Sequence, residues 1–158
     1  MAKVLLGLMG SGKTTIARKL DSDYVDMDAL LDDRLGMPIA RFFEEKAEAA
    51  FRQLEEEVLA DLLKTDKVIS TGGGIVISPR NRALLKQNPD NIYLKADFET
   101  LYQRISADKD NQRPLFLKNS KEDLAAIFKE RQAWYEEVAS QIVDVSSLNP
   151  DEIIEELR

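Results

Sequence analysis

Gly7-Leu8-Met9-Gly10-Ser11-Gly12-Lys13-Thr14 matches the pattern G-x-x-x-x-G-K-[ST] in full. Lys3-Val4-Leu5-Leu6 precedes it, an apolar run suited to a buried strand, and Thr14-Thr15-Ile16-Ala17-Arg18-Lys19-Leu20 opens a helical pattern behind it. This strand–loop–helix context is the one the motif requires. Glycines let the loop turn its backbone N–H groups inward around phosphate oxygens, and the helix N-terminus favours the anion. Lys13 in an exposed loop would reach the β/γ-phosphates, and the Thr14 hydroxyl would face Mg²⁺. Gly10, Ser11, Gly12, Lys13, Thr14 and Thr15 are therefore the candidate nucleotide-binding residues. The competing reading is a glycine-rich turn that binds nothing, but it leaves the lysine and threonine in register unexplained.

Outward from the loop, 158 residues fit one domain large enough for a real core, with 44% hydrophobic and 32% charged residues. The chain has no cysteine, which excludes disulfides and thiolate metal sites, and no histidine. Catalysis must then rest on carboxylates, Lys, Arg and backbone donors. A net charge of −7 argues against a general nucleic-acid role. The apolar run ending at Gly7 is too short for a signal-peptide core, and no segment approaches membrane-spanning length. A cytoplasmic enzyme without a membrane partner is expected.

Short apolar runs alternate with helical patterns, which predicts parallel βαβ units. The strand candidates are Val4–Leu6, Tyr24–Asp26, Val68–Ser70, Ile92–Leu94 and Ile142–Val145. Helices are expected after the phosphate loop, over about Ala47–Leu63, near Pro79–Lys86 and Phe98–Ile105, over Lys121–Ser140, and after Asn149. Ser78-Pro79 and Asn149-Pro150 each set a capping residue before proline at the first helical position. Two stretches interrupt the alternation. Residues 29–63 are nearly all helical and would form a substrate-binding region. Residues 107–119, polar and strand-free, would form a mobile lid or a plain surface loop.

A phosphate loop usually takes its metal-shell acid from the end of an apolar strand, but Val68-Ile69-Ser70 runs into Thr71-Gly72-Gly73-Gly74. Tyr24-Val25-Asp26-Met27-Asp28 is the best other source, since residues two apart on an extended segment face the same side. One carboxylate could hold metal-bound water while the other accepts a hydrogen bond from a substrate hydroxyl. Alternatively, Asp28 merely caps the next helix. Three consecutive glycines leave a bare backbone with free N–H donors for close ligand approach. Arg52 lies on one helix face with Glu48 and Glu55, either as a solvated ion-pair stripe or as a guanidinium held rigid to receive a carboxylate. Arg131 in Arg131-Gln132-Ala133-Trp134-Tyr135 poses the same choice. Arg113, before Pro114 in the polar loop, suits a lid arginine closing over transferring phosphate.

Together these residues resemble shikimate kinase along nearly the whole chain: the phosphate loop, Asp26-Met27-Asp28, Ile39 and Phe43 ahead of Glu48-Ala49-Ala50-Phe51-Arg52-Gln53-Leu54-Glu55, Ser70-Thr71-Gly72-Gly73-Gly74, Arg113-Pro114-Leu115, and Arg131 to Tyr135. Ala47 stands where the family pattern has glycine, a change expected to alter local backbone freedom rather than the site. The resemblance implies a three-layer αβα P-loop kinase fold of the nucleoside-monophosphate-kinase type with a central five-stranded parallel sheet. It implies ATP-dependent phosphorylation of the shikimate 3-hydroxyl, with Mg²⁺, by a monomer. Carried onto this chain, Lys13, Asp28 and Arg113 are catalytic, and Arg113 also meets the nucleotide. Asp28, Arg52, Gly73 and Arg131 bind substrate, and Thr14 with Asp26 holds the metal. Rival readings are a kinase for another hydroxy acid such as gluconate or for a nucleoside monophosphate, and a nucleotide-binding regulatory module that does not turn over.

Overall fold

The computed structural model describes residues 2–8, 11–37, 48–107 and 119–157. Gly10, Arg113 and nearly all of the expected lid lie outside these residues, as do Ile39, Phe43, Ala47, Pro114 and Leu115. Five strands, β1 (Lys3–Leu6), β2 (Val25–Asp26), β3 (Val68–Ser70), β4 (Asn91–Lys95) and β5 (Gln141–Asp144), form one parallel sheet in the order β2-β3-β1-β4-β5. The three central strands are continuous buried runs, as a parallel sheet covered on both faces requires. Edge strand β5 alternates, burying Val143 and exposing Ile142.

Seven helices are described: α1 (Lys13–Leu20), α2 (Met27–Leu35), α3 (Glu48–Leu62), α4 (Pro79–Gln87), α5 (Phe98–Ala107), α6 (Lys121–Val138) and α7 (Pro150–Glu156). α1 packs on α7, while α3, α4, α6 and α5 pack in succession and α6 lies on β4. The caps read from sequence form as expected. Ser78 accepts from Asn81 N at 3.2 Å, and Asn149 makes a full capping box with Glu152.

One junction differs from the sequence reading. Asp26 and Asp28 do not share an extended segment, because the strand stops at Asp26 and α2 begins at Met27. The carboxylate of Asp26 accepts the Ala29 N–H at 3.2 Å and so turns the chain into helix. Asp26, not Asp28, is the cap, and Asp28 sits in the first helical turn. The strand order reverses direction at β1, the place where open α/β sheets bind ligands beyond their C-terminal strand ends. Both glycine-rich loops leave from there, one after β1 and one after neighbouring β3.

Candidate active site

Gly12 is the residue before α1, with φ of 90°, a left-handed conformation open to glycine and strained for other residues. Lys13 follows as the first helical residue. It is not exposed: only 9% of it is accessible, and its ammonium folds back to donate to the carbonyls of Gly7 at 2.5 Å and Leu8 at 3.2 Å. A buried ammonium must have acceptors, and the phosphate loop's own carbonyls supply them. Ser11 is buried with its hydroxyl unpartnered among the described residues, whereas Thr15 is exposed.

Thr14 Oγ1 lies 3.4 Å from Ser70 Oγ, and Ser70 stands in register with Asp26 across the β2–β3 pair. Thr14 in the first turn of α1, and Ser70 and Asp26 at adjacent strand ends, thus offer three hard oxygen donors. Hydroxyls and one carboxylate, with water and phosphate completing the shell, are the donor set Mg²⁺ takes. Ser70 escaped the sequence reading because a serine ending a strand carries no signal without its register.

Across β3 the glycine tract acts by being small and by its carbonyls. A Cβ on Gly72 would stand 2.6 Å from Asp28 Oδ1, and one on Gly74 would stand 2.7 Å from both terminal nitrogens of Arg52. The tract therefore brings Asp28 and Arg52 to one place. Its carbonyls are engaged inward: Gly72 O accepts Ile75 N at 3.2 Å, Gly73 O accepts the Tyr135 hydroxyl, and Gly74 O accepts Arg52 Nη1 at 3.1 Å.

Arg52 is not part of a solvated stripe. Its side chain is 17% exposed and bonds Glu55, 2% exposed, at 3.0 Å, while the third member, Glu48, is mostly in solvent. Buried Asn81 donates to Ile75 O at 2.9 Å and to Glu55 Oε1 at 3.4 Å, tying α4 to the same pair. Burial raises the Glu55 carboxyl above its ordinary range; Arg52 opposes this and Asp28 adds to it. Burial lowers the Arg131 guanidinium; Tyr135 opposes this, and Arg52 lowers it further by charge repulsion. Glu55 therefore feels Asp28, Arg52 and Arg131, and the two arginines feel each other, although the four come from three helices. Two half-buried guanidinium groups that repel each other are an arrangement that an anion between them would relieve.

Among the described residues no group of three or more His, Asp or Glu side chains could hold a metal by itself, and no helix is long and apolar enough to cross a membrane.

The shikimate kinase family model matches residues 9–158. A shikimate kinase of Streptococcus gordonii is 50% identical over 100% of this chain and 99% of its own. One from Enterococcus faecalis is 44% identical over 98% of this chain and 94% of its own. Among solved structures, shikimate kinase from Acinetobacter baumannii in complex with shikimate superposes with a TM-score of 0.89 at 31% identity, covering 99% of this chain and 89% of that one. The three-layer αβα fold is that of a P-loop kinase. The chain belongs to the shikimate kinase family.

Proposed function

We infer that this chain phosphorylates the 3-hydroxyl of shikimate from ATP, giving 3-phosphoshikimate and ADP. The observation that carries the reading is the meeting of Asp28, at Gly72, with the half-buried Arg52 guanidinium, at Gly74, along the bare glycine tract, with a second half-buried guanidinium, Arg131, close enough to repel Arg52. A small anionic polyol needs cations for its carboxylate and acids or amides for its hydroxyls, and this site supplies both. A nucleoside monophosphate would leave the acid without work.

In this reading Arg52 and Arg131 grip the carboxylate, and the Gly73 backbone lines the ring. Asp28 accepts a hydrogen bond from the attacking hydroxyl and orients it. Lys13 leaves the Gly7 and Leu8 carbonyls to donate to the β/γ-phosphates, with the loop of Gly10, Ser11 and Gly12 beneath them and Thr15 beside Thr14. Mg²⁺ would be held by Thr14 and Asp26, with Ser70 beside them; when bound it screens phosphate charge. Arg113 serves the transferring phosphoryl from the lid formed by residues 107–119, and residues 29–63 provide the substrate-binding helical region of a single domain. A monomer in the cytoplasm, without nucleic-acid or membrane partners, completes the proposal.

The test is a coupled ADP-release assay with shikimate, gluconate and nucleoside monophosphates offered in turn. Turnover with shikimate alone is expected. Turnover with gluconate or a monophosphate instead would overturn the substrate, and nucleotide binding without turnover on any of them would favour the regulatory module. Asp26→Asn should raise the Mg²⁺ concentration for half-maximal rate, whereas Asp28→Asn should slow the chemical step at unchanged Mg²⁺ dependence. Equal Mg²⁺ dependence in both variants would remove the division of labour.

A further inference from the structure

Tyr135 lies four residues after Arg131 on α6, so the same helix face that delivers the guanidinium delivers this hydroxyl. The side chain is fully buried, and its ring stacks on Tyr93 at a centroid distance of 5.0 Å. Its hydroxyl stands against two backbone carbonyls that are distant in sequence: Gly73 O in the glycine tract, and Gly7 O at 3.1 Å, at the mouth of the phosphate loop. Gly7 O is also the acceptor of the Lys13 ammonium at 2.5 Å.

A tyrosine hydroxyl carries one proton, so it donates to one carbonyl at a time. With Lys13 on Gly7 O, that carbonyl is already served and the Tyr135 proton is left for Gly73. If Lys13 is drawn to phosphate, Gly7 O loses its charged donor, and the Tyr135 proton is the nearby replacement. Leaving a buried carbonyl without a donor is costly, so the two acceptors compete for the proton. Which carbonyl wins decides whether the Gly73–Gly74 peptide is held toward α6 or released, and Gly74 O is bonded to Arg52.

We propose that Tyr135 is a positioning residue whose single hydroxyl proton links the phosphate loop to the glycine tract, so that nucleotide affinity and shikimate affinity depend on each other through it. The inference rests on the reading of Lys13 as a phosphate ligand. Coupling of this kind is reciprocal and requires two arrangements of one element that both ligands bias; here the element is the O–H direction.

The test uses the full chain and calorimetry. The dissociation constant of shikimate is measured with and without saturating AMP-PNP and Mg²⁺, for wild type and for Tyr135→Phe, which keeps the ring and its stack. The expected wild-type ratio of the two constants departs from unity by at least about fivefold, the low end of couplings between sites. In Tyr135→Phe both ligands still bind and the ratio collapses to unity. A purely structural role would lower the melting temperature of the variant and leave the ratio at its wild-type value, and that result would overturn the proposal. A wild-type ratio of unity with both ligands bound would also overturn it, leaving the functional reading intact. Failure of wild type to bind shikimate or nucleotide at all would instead remove that reading, and this inference with it. Should Tyr135→Phe not fold, the ¹³Cζ resonance of Tyr135 in the wild type decides, assigned by elimination with Tyr24→Phe, Tyr93→Phe and Tyr102→Phe. Movement of that resonance on adding AMP-PNP supports the proton exchange, and an unmoved resonance overturns it.

Discussion

The phosphate-loop end and the glycine-tract end of this crevice meet at the C-terminal ends of neighbouring strands, yet they are built by opposite means. The first is local: a loop and one helix start, from Gly7 to Thr15, hold the lysine on their own carbonyls. The second is assembled: Asp28, Arg52 with Glu55, the glycines and Arg131 with Tyr135 come from four separate stretches, with Arg52 bonded to Glu55 and Gly74 and Tyr135 bonded to Gly73. Backbone donors in a short loop suit phosphate, which every kinase of this fold must hold. A side-chain network suits a particular substrate, because each member can be chosen for one of its groups. Damage should therefore stay confined to the end where it is made, except along the link from Lys13 through Gly7 O to Tyr135.

The largest effect should follow loss of the local end's only long cation. Lys13→Ala is expected to lower kcat by at least roughly 10²–10³-fold, the scale for removing a donor aimed at transition-state charge. Because it takes the ammonium off Gly7 O, it should also move shikimate affinity measured without nucleotide toward the value wild type shows with nucleotide bound. Wild-type turnover in that variant would break the phosphate-loop assignment.

At the assembled end, Arg52→Ala should weaken shikimate binding by about 2–5 kcal/mol, since it leaves the ligand carboxylate short of a charged partner. It should lower folding stability as well by stranding the buried Glu55. ADP affinity should hold. Lysine should rescue only part of the loss, because an ammonium cannot reproduce the planar fork. Crossing Arg52→Ala with a carboxylate-free shikimate analogue isolates the contact, and a coupling energy near zero would return Arg52 to a purely structural pairing with Glu55.

The glycines sharpen the contrast by failing for different reasons. In Gly74→Ala the new Cβ would stand 2.7 Å from the Arg52 guanidinium and must displace it. KM for shikimate should rise about tenfold, roughly 1.4 kcal/mol, with KM for ATP unchanged. In Gly12→Ala no atom of the described residues comes within 4 Å of the Cβ, but φ of 90° is strained, about 1–3 kcal/mol. KM for ATP should rise there while shikimate binding stays the same. If steady-state kinetics showed both variants harming both substrates equally, the two ends would not be separable.

The smallest effect concerns pH. Because burial raises the Glu55 carboxyl in the folded chain, the native state holds that proton more tightly than the unfolded one. Its stabilising contribution is full below the ordinary value of 4.5 and is lost as pH rises through the raised native value. The stability of wild type relative to Glu55→Gln, followed by urea denaturation, should decline across that window. A relative stability that climbs instead would mean that Arg52 outweighs burial.

The same division explains what could be read without a structure. Strands and helices declared themselves through apolar runs, alternation and caps such as Ser78 and Asn149, all of which are short-range signals. The phosphate loop was legible because its chemistry is contiguous. At the assembled end the residue types were legible but their state was not. Arg52 between two glutamates reads first as a solvated surface stripe and alternatively as a rigid fork, and the burial of Glu55 against α4 separates them. Asp26 and Asp28 read from sequence as sharing a strand face, but the cap bond from Ala29 N, three residues on, ends the strand at Asp26.

The sequence by itself determined the alternation of strand and helix, the phosphate loop and the absence of histidine and cysteine chemistry, since these depend on neighbours in the chain. Tertiary structure alone decided that Ser70 stands beside Thr14, that Gly72 and Gly74 are small because Asp28 and Arg52 need their space, and that the Tyr135 hydroxyl faces Gly7 and Gly73 at once. Those facts rest on which strands lie side by side and which helix covers them. Burial and hydrogen-bond satisfaction set that choice across the whole fold, and no local pattern encodes it.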